Sequence, residues 1–254
     1  MMSADYSGIQ VGGGNTAQPI ALRKRLRHIR DHLVPGRSRF LDCGCGTGDY
    51  VFALVDELGL DAHGVEYEVE KAARGQAHSR HGARIQQGDI QALRLQSGEW
   101  DYAMLNEVLE HVPDEPAALR EVCRVLKPGG LLFVFSPNRW FPFEAHGVHW
   151  RRSGKRIPHW VPFIPYIPLA VGTRVLDYWA RNYWQKELRH LVEAAGFAIV
   201  EKSFLWPSFE DISGDQPTLV RLARPLLRQF ADVLESVPGL ARFGVSQVLV
   251  CEKR

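Results

Sequence analysis

Between Ser38 and Asn138 short apolar runs alternate with longer stretches whose apolar residues recur every three or four positions. SRFLDC, DAHGVE, ARIQQGD, EWDYAMLN and LLFVFSPN have strand length. YVFALVDELG, EVEKAARGQAHSRHG and PDEPAALREVCRVLKPGG have helical period, the last with Pro near its start and Gly-Gly at its end. Strands separated by helices predict βαβ units and a parallel sheet covered on both faces. Upstream, Ala21 to Leu33 sets Leu22, Leu26, Ile29 and Leu33 on one face of an amphipathic helix with a basic back. Downstream, QKELRHLVEAAGF reads as a helix closed at Gly196, and FAIVEKSFLW and SQVLVCEK as strands. Between those strands PTLVRLARPLLRQFADVLESV keeps a helical period despite Pro225.

Residues 137–184 break the alternation, holding six of the fifteen prolines, and six of the seven tryptophans lie between 140 and 206. The expected organisation is one doubly wound α/β domain. It has a mobile Gly- and Ser-rich leader over 1–19, a ligand-binding half over 20–136, an inserted lid over 137–184 and a C-terminal part over 185–254. A length of 254 residues with 45% hydrophobic and 24% charged residues suits such a domain and excludes disorder. Four cysteines, two of them one residue apart, exclude a disulfide scaffold and point to a reducing, cytoplasmic setting. A net charge of +2 gives no global argument for nucleic acid. The N-terminus shows no signal-peptide pattern, and no run of eighteen apolar residues occurs.

The chemistry concentrates in Phe40-Leu41-Asp42-Cys43-Gly44-Cys45-Gly46-Thr47-Gly48-Asp49, a G-x-G-x-G loop directly after a strand and before a helix. Glycines there allow a sharp turn and close approach of a ligand to the main chain. The spacing differs from the G-x-G-x-x-G of dinucleotide binders, and Asp42 would repel a pyrophosphate while suiting an ammonium group. Both points disfavour a Rossmann dehydrogenase. Glu66 ends the second strand, 22 residues after Gly44, where an acid grips ribose hydroxyls. Asp89 ends the third, placed to accept from an exocyclic adenine amine. An adenosine carrying an amino acid fits all three.

In LDCGCGTGDY, GVEYE, QQGDI, LNEVLEHVPD and LREVCRVLKPGGLLFVFSPN, taken in order, the chain resembles the class I S-adenosylmethionine-dependent methyltransferases, chiefly over residues 38–136. The resemblance implies a Rossmann-like seven-stranded sheet with an antiparallel last strand, and S-adenosylmethionine as methyl donor. Asp42, Gly44, Gly46 and Gly48 would surround the methionine part and Glu66 would hold the ribose. Tyr67 would lie against the adenine, Asp89 and Ile90 would face its edge and ring, and Asn106 would line the pocket.

The reaction is then an in-line displacement that needs alignment and, for a hydroxyl acceptor, a base. His111, in Glu107-Val108-Leu109-Glu110-His111, and His146, in the insertion beside Glu144 and His149, are the candidates. The same E-x-x-E-H would also suit a divalent cation, as in some relatives, although the family at large works without metal there and no metal is assigned.

Acceptor specificity belongs to the insertion. Between 151 and 190, Arg151, Arg152, Lys155, Arg156, Arg174, Arg181, Lys186 and Arg189 face only Asp177 and Glu187, around an apolar, aromatic centre from His159 to Leu169. Such a segment suits an anionic membrane surface through 155–170, an amphiphile with a greasy tail, or a packed lid with a solvated basic rim. Its placement is similar to the membrane-contacting insertion of ubiquinone-biosynthesis O-methyltransferases. The expected acceptor is an apolar or amphiphilic small molecule methylated on oxygen, such as a quinone precursor, a lipid or a lipid-linked sugar. A polar sugar or metabolite and a non-catalytic S-adenosylmethionine-binding module are the alternatives. A nucleic-acid acceptor is disfavoured, because Leu105-Asn106-Glu107-Val108 stands where D/N-P-P-Y is expected.

Overall fold

A computed structural model describes residues 20–78, 84–209 and 218–254. The expected leader over 1–19 lies outside them, as does the end of the helix read through Gly82.

Helix α1 (Ile20–Arg30) precedes strand β1 (Arg39–Cys43), helix α2 (Asp49–Leu58), strand β2 (Asp61–Glu66), helix α3 (Val69–Ala77), and strands β3 (Arg84–Gln87) and β4 (Trp100–Asn106). Helix α4 (Glu115–Val125) leads into strand β5 (Leu126–Pro137). The insertion then forms a two-stranded ribbon of β6 (Val148–Trp150) and β7 (Leu176–Tyr178) with a one-turn helix α5 (Leu169–Gly172) between them. Helix α6 (Gln185–Ala194), strand β8 (Phe197–Leu205), helix α7 (Thr218–Ser236) and strand β9 (Ser246–Lys253) complete the order.

The main sheet has seven strands in the order β3-β2-β1-β4-β5-β9-β8. β1 to β5 pair in parallel, and β9 runs antiparallel between β5 and β8. The expected seven-stranded sheet with an antiparallel last strand is therefore present. Because β8 shares the direction of β5, Cys43, Glu66, Asn106, Pro137 and Leu205 end at one edge, where β9 begins at Ser246. Strand order reverses between β1 and β4, so the crevice for a ligand opens at that edge.

Alternation along the strands sends neighbours to opposite faces. Phe40, Tyr102, Phe133 and Phe135 pack with Leu22, Leu26 and Ile29 of α1 and with Val51 and Leu54 of α2. Leu41, Ala103, Leu105, Leu132 and Val134 pack on the other side with Leu119 and Val122 of α4 and Leu188 and Val192 of α6. Full burial of each of the three α1 side chains contributes about 1.5–3 kcal/mol, which holds α1 against the sheet.

One boundary is corrected. The helix read through Lys127-Pro128-Gly129-Gly130 ends at Val125. Leu126 already has extended backbone and pairs with Trp100 of β4, and Pro128 disfavours helical geometry at Lys127.

Candidate active site

Gly44, Gly46 and Gly48 all have left-handed backbone, with φ of 86°, 57° and 93°. Gly44 and Cys45 N–H groups donate to the Val65 carbonyl at 2.7 and 3.1 Å, which seats the loop on the end of β2. A Cβ at Gly44 would stand 2.5 Å from Val108, and one at Gly48 2.3 Å from Ile85. Those two glycines permit close packing, whereas a Cβ at Gly46 meets nothing within 4 Å. The contact with Val108 joins the loop directly to the segment carrying Glu107, Glu110 and His111.

Asp42 is buried, and its Oδ1 has no hydrogen-bond partner. Burial first, and the nearby Glu66 carboxylate next, push its carboxyl up to about 8. Glu66 is buried at the end of β2, where its Oε2 accepts from the Gly46 N–H at 2.8 Å and its Oε1 from the Glu68 N–H at 2.9 Å. The residue read as a ribose ligand thus also braces the glycine loop. Asn106 ends β4 with a buried, unpartnered Oδ1 and is hydrogen-bonded to Tyr50. These orphaned polar atoms around the loop fit a ligand with an ammonium group and hydroxyls. Asp89 accepts from the Gln91 N–H and amide at 2.8 and 3.1 Å, fixing the turn after β3 beside buried Ile90. Tyr67 is 65% exposed at the crevice, available to a planar ring.

A second group gathers immediately after Asn106. Glu107 has φ 53°, a strained value for a non-glycine residue. Its Oε1 accepts from Arg25 Nη2 at 2.9 Å and from the Ser246 hydroxyl. Burial pushes the Glu107 carboxyl up, but Arg25 and then His146 outweigh it and leave it below the usual range. The Glu110 carboxylate is fully buried, and burial and then Glu107 raise its carboxyl well above that range. The insertion delivers His146 to these acids, with Nε2 3.5 Å from Glu110 and 3.8 Å from Glu107. Its ring meets that of His111 edge-on, centroids 5.5 Å apart. Burial and then His146 lower the His111 imidazole below its usual value.

The expected catalytic pair, His111 and His146, therefore stands together, while His149 stacks on Trp179. Glu110, His111 and His146 each offer a ligand atom, all within 4.8 Å of one another, so the metal-like character of E-x-x-E-H extends to a residue 35 positions later. The donor set of one carboxylate and two imidazoles suits a divalent transition ion.

Arg25, Ser246 and Asn182 escaped the sequence reading, and Glu144 entered it only as a neighbour of His146. Arg25 sits among Leu22, Leu26 and Ile29 at helical spacing, and a cation on the apolar face was its signal. Ser246 carried no local signal. Glu144 and Asn182 position His146: Glu144 Oε1 accepts from the His146 N–H at 3.0 Å, and its Oε2 from the Asn182 amide at 2.8 Å.

The family described as a methyltransferase domain matches residues 20–202. A ubiquinone biosynthesis O-methyltransferase of Xanthomonas axonopodis pv. citri is 31% identical over 160 residues, 59% of this chain and 66% of the relative. A demethylmenaquinone methyltransferase of Staphylococcus saprophyticus is 32% identical over 119 residues, 45% of this chain and 51% of the relative. The chain thus spans between half and two thirds of the length of these relatives. Among solved structures, an S-adenosylmethionine-dependent methyltransferase of Mesorhizobium loti has a TM-score of 0.57 at 19% identity, covering 92% of this chain and 96% of its own. The [4+2]-cyclase SpnF has a TM-score of 0.56 at 20% identity, covering 92% and 80%. At such identities the likeness concerns the fold, which serves more than one chemistry. With the family match over most of its length and the glycine loop, acid and sheet order in place, the chain belongs to the class I S-adenosylmethionine-dependent methyltransferases.

Proposed function

We propose that this protein transfers the methyl group of S-adenosylmethionine to an oxygen of an apolar or amphiphilic small molecule of the quinone-precursor or lipid type. The observation that carries the reading is His146, brought by the insertion against Glu107, Glu110 and His111 at the sheet edge where the glycine loop ends. S-adenosylmethionine, when bound, supplies a methyl group already activated on a sulfonium. Asp42 would take its ammonium group, Glu66 a ribose hydroxyl and Asp89 the adenine edge.

The remaining work is alignment and removal of a proton. His146 Nε2 lies near both acids, and Nδ1, buried and without a hydrogen-bond partner, is the nitrogen left to take the proton of the acceptor hydroxyl. Glu107, kept ionised by Arg25, stabilises the imidazolium that results. The substrate class is supported by the names of the two relatives, both quinone-pathway methyltransferases. It is also supported by the exposed Trp160 and Phe163 beside exposed Lys155 and Arg156, a surface suited to a greasy acceptor or the membrane that holds it. Among the described residues no helix is long and apolar enough to cross a membrane.

The grouping of Glu110, His111 and His146 favours one second reading, in which a divalent cation held there polarises the acceptor oxygen. Methyl-labelled S-adenosylmethionine and cell extract, partitioned between organic and aqueous phases with and without chelator, test both. Label in the organic phase that survives chelation is expected. Aqueous label moves the acceptor to polar metabolites, chelator-sensitive label selects the cation, and a failure to label any acceptor leaves a binding module.

A further inference from the structure

We infer that α7 is an interfacial helix whose apolar stripe, with Arg23 and Arg27 of α1 beside it, docks the protein onto an anionic lipid surface. Leu222, Leu226, Phe230 and Val233 are spaced by four, four and three residues, which aligns them along one side of the helix. They are 74%, 71%, 61% and 57% exposed. Buried Ala231 marks the opposite side, and Arg228 donates to the Ser208 carbonyl at 2.7 Å. The inward side carries buried Ala231 with half-buried Leu227 and Leu234, while four large apolar side chains turn outward, where a surface helix ordinarily has polar ones. Single exposed apolar residues are ordinary, but four in one line form a patch that needs a cover.

Charge decides the cover. Lys24 reaches Asp232 at 2.8 Å and Glu235 at 2.9 Å, so one lysine ties α1 to α7 and engages both acids on that flank. Arg23 and Arg27, both exposed, line the same cleft of about 540 Å³ with Ser236. Among the described residues no ion pair reaches either arginine. An apolar line on α7 with these arginines on the adjoining helix α1 matches a bilayer boundary, with side chains among the acyl chains and guanidinium groups on headgroup phosphates. A second copy seated on the stripe would supply apolar cover, but its Asp232 and Glu235 are already engaged by its own Lys24, so it would bring the same arginines and little free countercharge. The surface lies apart from the active site, so the inference stands independently of the acceptor proposed above.

The test is sedimentation of the full chain with vesicles of equal parts phosphatidylglycerol and phosphatidylcholine, and with phosphatidylcholine alone. Binding to the charged vesicles and little to the neutral ones is expected. L226Q with F230Q should lower the partition at least about tenfold, and R23Q with R27Q should lower it by about tenfold on charged vesicles only. Circular dichroism melts and S-adenosylmethionine affinity should stay unchanged in both, because the four side chains are exposed and outside the site. No partition by the parent protein, or undiminished partition by L226Q with F230Q, overturns the inference. So does a concentration-dependent dimer in light scattering that those substitutions dissolve while vesicle binding is absent.

Discussion

The loop at the end of β1 and the acid–imidazole group after β4 share one sheet edge but are built differently. The loop is assembled from neighbours: Asp42, three glycines and the tip of β2, tied by N–H groups to Val65 and Glu66. The other group draws Arg25 from α1, Glu107 and Glu110 from the turn after β4, His146 from the insertion and Ser246 from β9. The difference teaches that the glycine loop rests on local backbone geometry, whereas the acid–imidazole group rests on distant segments arriving together.

The sharpest way to break this contrast is at Gly48. Gly48→Ala places a Cβ against Ile85 in left-handed backbone and should cost about 2–5 kcal/mol, read as a lower Tm, with S-adenosylmethionine affinity falling at least about 100-fold in calorimetry. Next, His146→Ala should reduce methyl transfer about 100- to 1,000-fold while cofactor affinity holds. If affinity falls in parallel, the two regions are one unit and the contrast fails.

Asp42→Asn sharpens it from the cofactor side. With its carboxyl at about 8 in the folded chain, against about 4 when unfolded, Asp42 keeps in the fold a proton that the unfolded chain has lost. Its contribution to stability therefore falls as pH rises through that window. The Asn variant should lose that downward slope in Tm against pH and bind S-adenosylmethionine about tenfold more weakly, for want of a countercharge to the ammonium. A slope unchanged in the variant assigns it to another group. The smallest effect is expected at Glu144. Glu144→Gln should cost about five- to tenfold in kcat with little change in KM, because it loosens the seating of His146 without touching either substrate.

How much could be read in advance follows the same division. The strand–loop–helix of residues 39–58 was legible because left-handed glycines, a strand end and an amphipathic period are all local properties. Glu66 was found, but its bracing of Gly46 was not, since that bond needs the loop folded back over β2. His111 and His146 were both singled out by type, yet their meeting depends on the path of a proline-rich insertion with no strong periodicity. Arg25 lies inward although the sequence of its helix shows only a basic back. A long polar side chain on an apolar face shows its purpose only once Glu107 is there to receive it.

The sequence alone determined the alternating α/β architecture and the ligand loop, because hydrophobic period, glycine placement and strand-terminal acids act over a few residues. Only the tertiary structure decided which acids share His146, which face of α7 is left uncovered, and that Ser246 of β9 meets Glu107. Those outcomes depend on contacts between residues up to 211 positions apart, whose energies exist only when the whole sheet has closed around them.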